Sequence, residues 1–468
     1  MKKILFYYWD PIDGPAGGGV TAYLKELFPL LLKREEFEIY YLSSGRKYDN
    51  TDAIYIREIK NIYSPTIKSY EVVNCPVLGP GKQSIKNIRI YLEDVKVKAV
   101  LKKFIDDIGG FDIIHFHSLE GLPLKTLELK VEYPNIKFLY SFHNYYPLCN
   151  QVNLWKNNCK KCDITNYEDC DKCYERENYD LALYRFKHLD IPELKQKNIE
   201  KSKANPDKDN LKIYQDYFEK NKEYFNKYID KMIAVSNRTK EVLISHGYLH
   251  EKIVVVYVGT DIAKRGTAMK SNCSRSREEP LKIVYLGYPR KDKGFYFFVD
   301  ALEAMNQSIG QRIKVTVVAR GIAEIVMERL NALEGKLNGL KIFNGYKDYD
   351  NLHQILSSQN LGIVPVMWED NLPRVAIEQI AMGVPILTSD LGGASELFGR
   401  NPKFVFEAGN IKDFIEKLSG IMDNPDYTDE FWNTVKPLIT MEEHAKEISL
   451  LYEEILNESQ SHCGCTFF

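Results

Sequence analysis

Short apolar runs alternate with helical patterns through the first half of the chain. The run from Lys3 to Tyr7 leads into a Gly-rich loop, a helical pattern follows from Thr21 to Leu32, and another apolar run extends from Phe37 to Leu42. Strand, helix and strand in this order predict βαβ units and therefore a parallel sheet. Further strands are predicted at Asp112 to Phe116, Lys137 to Phe142, Lys231 to Val235 and Ile253 to Tyr257. Residues 1–262 are thus expected to form one doubly wound α/β domain.

A second series of the same kind follows a polar stretch. Over residues 263–280 the periodicity stops and polar residues dominate, which predicts a linker. Five more strands are predicted at Lys282 to Leu286, Lys314 to Val318, Lys341 to Phe343, Gly362 to Val366 and Pro385 to Leu387. We expect a second doubly wound domain over 281–438, a C-terminal helix over 439–457 and an unassigned tail over 458–468.

Residues 174–228 do not fit a minimal α/β domain. They are rich in Lys, Glu, Asp and Tyr, with a break near Pro206, and predict an inserted helical pair. A solvated helical surface explains such a charge pattern, and docking of a partner or acceptor is the alternative.

Composition narrows the classes of function. The 468 residues are 44% hydrophobic and 27% charged, which is enough apolar material for two cores. Lys and Arg (63) nearly balance Asp and Glu (65), so the broad positive field of a non-specific nucleic-acid binder is not expected. The start of the chain has no small-residue cleavage site after its apolar run, and no run approaches the ~20 residues of a membrane span. A cytoplasmic protein is predicted.

Membrane contact could then be peripheral only. Seven cations are interleaved with Ile, Val and Leu and suggest an amphipathic surface: Lys82, Lys86, Arg89, Lys96, Lys98, Lys102 and Lys103. The alternative is an ordinary surface helix packed on the sheet.

Four of the nine cysteines form two CxxC pairs, Cys159 with Cys162 and Cys170 with Cys173. Two such pairs separated by seven residues can supply four thiolates to one tetrahedral ion, which predicts a structural zinc knuckle within residues 149–173. Thiols without metal, or a redox pair, are the alternative.

The stretch from Val364 to Gln379 carries the most informative chemistry. A buried strand ends in an acidic loop, and Pro373 suits the first turn of a helix that contains Glu378. Ligands of open α/β sheets bind at such strand ends, where a carboxylate can accept hydrogen bonds from ribose hydroxyls. We therefore take Glu378 as the candidate for ribose binding, with a solvated surface acid as the alternative.

Two glycine clusters and a basic loop complete the candidate site. Gly392 and Gly393 follow a strand, and the glycines at 17–19 open the first helix, so amides there could approach phosphate oxygens. A tight turn without a ligand also explains Gly392 and Gly393. The strand ending at Leu286 leads to three cations, Arg290, Lys291 and Lys293, which could balance a diphosphate or form a solvated loop.

Together these pieces resemble glycosyltransferase family 4, retaining enzymes with the GT-B fold, from Lys3 to about Leu456. The family has a Glu-x7-Glu motif, a small-residue helix and a Gly-Gly-x-x-Glu loop. Here the corresponding residues are Asp370, Glu378, Ala381, Gly383, Pro385, Gly392, Gly393 and Glu396. The resemblance implies two Rossmann-like domains facing a cleft, with the C-terminal helix crossing back.

The resemblance also implies roles. Asp370, His143 and Lys293 would be catalytic, with Lys293 on the diphosphate and His143 touching the donor sugar. Donor binding would fall to Glu378, Arg290, Gly18, Gly19, Gly392, Gly393, Asn371 and Leu372. His115 and His117 share one face of a strand and are expected in the core or behind the site.

Three positions depart from the family pattern. The first acid is Asp370 rather than Glu, and Tyr288 stands where the family has Arg, so Arg290 would supply the second phosphate charge. The usual His-Asp is His143 and Asn144, which removes a carboxylate from the acceptor side.

The implied reaction moves a sugar from a nucleoside diphosphate donor to an acceptor hydroxyl with retention and without a catalytic metal. The acceptor would be a saccharide or lipid-linked saccharide, in glycan or polysaccharide biosynthesis. Two alternatives remain: a sugar-nucleotide epimerase or hydrolase on the same fold, and a non-catalytic protein that binds a partner through the knuckle and insertion.

Overall fold

The structure is a computed structural model. It describes residues 1–14, 18–80, 85–156, 160–164, 167, 170, 173, 209–266 and 275–462. Element numbers below run through these residues in chain order.

An eight-stranded sheet forms the N-terminal domain, in the order β10-β9-β6-β5-β1-β2-β4-β3. Every neighbouring pair is parallel except β3 with β4. The strands are β1 (Lys2–Tyr7), β2 (Phe37–Lys47), β3 (Tyr55–Ile59), β4 (Lys68–Val73), β5 (Ile113–Phe116), β6 (Lys137–Phe142), β9 (Lys231–Ala234) and β10 (Ile253–Val255). The β3–β4 pair was not predicted, because both strands are short and mix polar or charged residues with apolar ones.

Helices cover this sheet. They are α1 (Gly18–Leu32), α2 (Ile85–Glu93), α3 (Lys96–Ile108), α4 (Leu129–Glu132), α5 (Asp209–Tyr228), α6 (Asn237–Ser245) and α7 (Ala263–Gly266). The last of these lies inside the predicted linker. Of the predicted helical insertion, α5 is described and residues 174–208 lie outside the described part of the chain.

A small hairpin stands in the cysteine-rich region after β6. Its strands are β7 (Trp155–Lys156) and β8 (Lys160–Lys161), which pair antiparallel. The N–H of Cys162 donates to the carbonyl of Leu154 at 2.7 Å and extends the pairing by one step. We call the described residues 154–156 and 160–162 the cysteine-rich hairpin.

The C-terminal domain has a fully parallel six-stranded sheet in the order β13-β12-β11-β14-β15-β16. Its strands are β11 (Leu281–Leu286), β12 (Ile313–Val318), β13 (Gly339–Phe343), β14 (Leu361–Val364), β15 (Ile386–Ser389) and β16 (Val405–Phe406). Its helices are α8 (Phe295–Ala304), α9 (Gln307–Gly310), α10 (Glu324–Asn331), α11 (Tyr349–Leu356), α12 (Arg374–Ala381), α13 (Ile411–Asp423) and α14 (Tyr427–Thr434).

The final helix, α15 (Met441–His462), returns to the N-terminal domain. Tyr452 lies fully buried there, and its hydroxyl is 2.7 Å from Nδ1 of His115 in β5. His444 binds Tyr23 of α1, with 2.8 Å between Nε2 and the phenol oxygen. The predicted crossing helix is thus confirmed, although it extends beyond residue 457.

Candidate functional site

Loops at the carboxyl ends of strands in both sheets meet between the domains. The side-chain amide of Asn371, after β14, donates to the carbonyl of Phe142, the last residue of β6, at 3.0 Å. The hydroxyl of Ser236, after β9, donates to the carbonyl of Asn371 at 2.6 Å. Since open α/β sheets bind ligands at these strand ends, the cleft beside these contacts is the candidate site.

Lys293 and Asp370 come together from two loops of the C-terminal domain. Nζ of Lys293 lies 2.5 Å from Oδ2 of Asp370 and 5.0 Å from the ring centre of Trp368. The Lys293 side chain is 27% exposed and that of Asp370 only 9%, so the pair sits at the cleft wall with the cation toward solvent. Two residues predicted as catalytic are therefore in direct contact.

Arg290 is held elsewhere in the same loop. Its guanidinium forms a fork with Asp292, with 2.9 Å between Nε and Oδ1, while its side chain is 55% exposed. Asp292 is itself buried. As the loop stands, a phosphate would share this guanidinium with Asp292, and the role of Arg290 as second phosphate cation stays a prediction.

Glu378 lies on α12 and is only 6% exposed. Burial raises the pKa of its carboxyl to about 7, against the opposing effect of Arg374 and with a further increase from Glu26. Such a group takes up a proton near neutrality and binds hydroxyl donors best once it has lost that proton. The surface-acid alternative is wrong, because the side chain is buried.

The two glycine clusters differ in what they face. Gly18 has φ +59°, and a Cβ added at Gly18 or Gly19 would meet no atom within 4 Å. This leaves room for a ligand to approach the start of α1. Gly17 lies outside the described residues.

At Gly392 and Gly393 the surroundings are crowded. The N–H of Gly392 donates to the carboxylate of Glu369 at 3.1 Å, and that of Gly393 donates to the carbonyl of Asp370 at 2.9 Å. Gly392 has φ +75°, and a Cβ there would collide with the backbone of Asp370. These amides hold the loop at 369–371 in the structure, and donor binding by the two glycines stays a prediction.

His143 is half-buried and contacts a network of buried histidines. Its Nε2 lies 2.9 Å from Nδ1 of His117, and Tyr23 packs against its ring at 5.2 Å. Burial, reinforced by His444, lowers the pKa of His143 to about 3, so the ring is neutral at physiological pH. His115 donates to or accepts from Ser141 at 2.8 Å, which matches the expected core position behind the site.

Glu396 and Glu369 connect the two domains through hydrogen bonds and an ion pair. The sequence predicted no role for either residue. The carboxylate of Glu396 accepts from the N–H groups of Asn237 (3.0 Å) and Arg238 (2.5 Å) at the start of α6. Glu369 is fully buried and paired with Arg238. The acid beside Asp370 was the available sequence signal for Glu369, but its partner lies 131 residues away.

Cys162, Cys170 and Cys173 line one apolar cavity with Cys149, Trp155 and Phe218. Burial raises the pKa of the Cys149 thiol, and the three neighbouring sulfurs raise it further. Cys159, the fourth predicted ligand, lies outside the described residues. Within the described residues alone, no group of three or more His, Cys, Asp or Glu has the arrangement of a metal site.

Of the predicted amphipathic surface, the residues from Lys86 to Lys103 fall on α2 and α3, and Lys82 lies outside the described residues. Three of its lysines are in ion pairs: Lys98 with Glu128 (3.1 Å), Lys102 with Glu132 (2.7 Å) and Lys103 with Asp107 (2.5 Å). These acids offset much of the positive charge that an anionic bilayer would attract. Across the described residues, no helix is long and apolar enough to cross a membrane.

Comparison with known sequences identifies a family match in the C-terminal domain. Residues 280–424 match the family described as Glycosyl transferases group 1. TuaC of Bacillus subtilis, assigned to teichuronic acid biosynthesis, is 23% identical over 181 residues, or 38% of this chain and 43% of TuaC. The amylovoran biosynthesis glycosyltransferase AmsK of Erwinia amylovora is 22% identical over 36% of this chain and 42% of AmsK. The matched regions thus span less than half the length of these relatives.

Solved structures match the whole chain. Sucrose-phosphate synthase from Thermosynechococcus elongatus has a TM-score of 0.57 at 15% identity, covering 98% of this chain and 100% of that one. The trehalose 6-phosphate synthase of Burkholderia multivorans has a TM-score of 0.60 at 10% identity, covering 100% and 99%. HepE of Anabaena, solved in complex with UDP, has a TM-score of 0.52 at 12% identity, covering 99% of each chain. The chain therefore has the GT-B fold, and its residues 280–424 match the group 1 glycosyltransferase family.

Proposed function

We propose that the protein is a retaining glycosyltransferase that moves a sugar from a nucleoside diphosphate donor to an acceptor hydroxyl. The observation that carries this proposal is the contact of Lys293 with Asp370 at the strand ends of the family-matched domain. The cation can offset the charge that grows on the phosphate as the bond between sugar and phosphate breaks, and the acid beside it can orient the sugar. Glu378, eight residues after Asp370, supplies the buried acid for the nucleotide.

The donor is held from both sides of the cleft. Glu378 accepts hydrogen bonds from the ribose hydroxyls, and Lys293 offsets the charge that grows on the diphosphate as it leaves. Gly18 and Gly19 leave space for phosphate at the start of α1, where backbone N–H groups favour anions.

Transfer with retention then needs little from protein bases. The bond between the sugar C1 and the phosphate oxygen breaks, and its electron pair stays on the diphosphate. The acceptor oxygen bonds to C1 from the same face, and its proton passes to the departing phosphate oxygen. His143 and Asp370 orient the sugar. The ring of His143 is neutral and serves as a hydrogen-bonding group rather than an acid.

Relatives support the substrate class. HepE was solved with UDP, and an Escherichia coli trehalose-6-phosphate protein with UDP-2-fluoro glucose. TuaC and AmsK carry names that refer to teichuronic acid and amylovoran biosynthesis. A saccharide or lipid-linked saccharide acceptor in polysaccharide synthesis is the corresponding proposal here.

A structural zinc ion at the cysteine-rich region is a second part of the proposal. Three of the four predicted ligands line one cavity, and the sulfur of each lies near enough to Cys149 to raise the pKa of its thiol. Cys159, Cys162, Cys170 and Cys173 would hold the ion. Four thiolates leave no open position, so the metal would stabilise the fold locally and take no part in the chemistry.

A donor assay tests the proposed function against its alternatives. Nucleotide sugars are first screened by thermal shift, because a ligand at ~100 times its Kd adds ~2.7 kcal/mol to folded-state stability. Release of nucleoside diphosphate is then measured with and without saccharide acceptors. Acceptor-dependent release supports a transferase, release without acceptor supports an epimerase or hydrolase, and no binding of any donor supports a partner-binding protein.

A cytoplasmic location with peripheral membrane contact stays a prediction. Co-sedimentation with anionic vesicles at low salt would support the contact. The ion pairs of Lys98 and Lys102 lead us to expect weak binding that salt abolishes.

A further inference from the structure

Glu369 is a fully buried carboxylate immediately before Asp370. It accepts two hydrogen bonds from Arg238, at 2.9 Å from Nε and 2.5 Å from Nη2. Nζ of Lys161 lies 2.6 Å from its Oε1, and the N–H of Gly392 donates to its Oε2 at 3.1 Å. Three chain segments therefore converge on one side chain.

These partners come from both domains. Arg238 is in the first turn of α6, and Lys161 is in β8 of the cysteine-rich hairpin, so both belong to the N-terminal domain. Gly392 belongs to the turn that also binds the carbonyl of Asp370 through Gly393. The charge of Glu369 thus connects the hairpin to the loop that carries Asp370.

The buried carboxylate of Glu369 depends on the two cations that contact it. A buried carboxylate without cations is costly, and Arg238 and Lys161 together offset its charge. Moving either cation would allow Glu369 to shift. Asp370 follows Glu369 in the same loop, and Gly392 is hydrogen-bonded to Glu369, so a shift of Glu369 would also move these residues. A shift of about 1 Å at reacting groups is enough to slow an enzyme greatly.

We infer that Glu369 is a positioning residue, which fixes Asp370 against Lys293, and that Lys161 couples the cysteine-rich hairpin to this loop. The inference rests on the proposed glycosyl transfer. Glu369 itself touches no reacting atom. Removing the Glu369 carboxylate therefore lowers kcat for the donor, while the nucleotide, held by Glu378 on α12, binds almost as before.

Lys161→Met and Lys160→Met form a matched pair for the test. Both lysines are on β8 and exposed, but only Lys161 contacts Glu369. Glu369→Gln is paired with Glu241→Gln, since Glu241 is a more exposed partner of Arg238. For each variant, kcat and KM are measured for the donor that wild type uses, together with the Kd of UDP, ADP and GDP by calorimetry. Hydrogen exchange is followed in peptides spanning 366–373.

We expect Glu369→Gln and Lys161→Met to lower kcat by about tenfold or more, with nucleotide Kd within about threefold, and to speed exchange in 366–373. Lys161→Arg should restore kcat, and the two control variants should match wild type. Unchanged kcat and exchange in Lys161→Met would overturn the inference, as would equal effects in Lys160→Met.

Two further outcomes are interpreted separately: a variant that fails to fold, and a wild type without activity. If Glu369→Gln fails to fold, the lysine pair decides alone. If wild type neither transfers nor hydrolyses any nucleotide sugar, the proposed function fails, and exchange in 366–373 still shows whether Lys161 holds the loop.

Discussion

Nη2 of Arg374 lies 3.0 Å from Oε1 of Glu26, and this ion pair joins α12 of the C-terminal domain to α1 of the N-terminal domain. Nη1 of Arg374 and Oε2 of Glu26 are buried and make no hydrogen bond to a described residue. The pair spans the cleft next to Glu378, whose pKa Arg374 lowers. The pKa of Glu378 therefore depends on residues of both domains.

Arg374→Ala should weaken nucleotide binding at neutral pH. Without the guanidinium the pKa of Glu378 rises further, so less of the carboxylate is available to ribose hydroxyls. We expect Kd to rise by roughly tenfold near pH 7, corresponding to ~1.4 kcal/mol, and to recover by about pH 9. Calorimetric titrations at both pH values check this.

Arg329→Ala is the control for that variant. Arg329 pairs with Asp300 and Glu303 on the surface of the same domain, away from Glu378. It should leave the pH dependence of binding unchanged. A pH-independent loss of affinity in Arg374→Ala would mean that the guanidinium contacts the nucleotide directly.

Glu378→Gln should change stability and binding in opposite directions. The pKa of the folded carboxyl is about 7, above its ordinary value of 4.5, so the folded chain keeps a proton that the unfolded chain loses between these values. The stability from this group is complete below pH 4.5 and is lost as pH rises through 7. At about pH 8 the glutamine variant should therefore be more stable than wild type, by up to ~3 kcal/mol.

The same Glu378 carboxylate that destabilises the fold when ionised should favour nucleotide binding. In wild type, affinity should increase as pH rises through 7, whereas Glu378→Gln should bind weakly at every pH. Chemical denaturation and calorimetry from about pH 5 to about pH 8 measure both effects. Wild-type affinity in the variant would remove Glu378 from the site.

The sequence predicted the positions of strands better than the side-chain contacts between distant parts of the chain. Apolar runs located β1, β5, β6 and β11 to within two residues, because buried parallel strands are continuously hydrophobic. It also identified Lys293 and Asp370, which lie together. Arg374 and Glu26 are 348 residues apart, and nothing in either local pattern indicates the other. For glycines 392 and 393 the sequence allowed either phosphate contact or a tight turn, and it did not indicate the close packing against the 369–371 loop that requires glycine there.

Lys293→Ala should reduce transfer about a hundredfold or more, since each ~1.4 kcal/mol of lost transition-state stabilisation is tenfold in rate. Asp370 would also lose its cation partner. Lys282→Ala is the matched control, as Lys282 is exposed on β11, the strand that leads into this loop, and has no proposed role at the site. Steady-state kinetics with the identified donor compares them, and near-normal turnover of Lys293→Ala would assign the diphosphate to Arg290 or Lys291.

The purified protein should contain about one zinc ion per chain. Cys162, Cys170 and Cys173 lie around one cavity beside the hairpin that reaches Glu369 through Lys161, so a metal there would hold this hairpin in place. Cys170→Ser should lower the zinc content to near zero and reduce acceptor use more than nucleotide binding, because Glu378 is on the other domain. Cys273→Ser, at a cysteine without ligand spacing, should keep the metal. Elemental analysis and thiol titration decide: less than about half an equivalent of metal in wild type, with four readily titrating thiols, would contradict the zinc site.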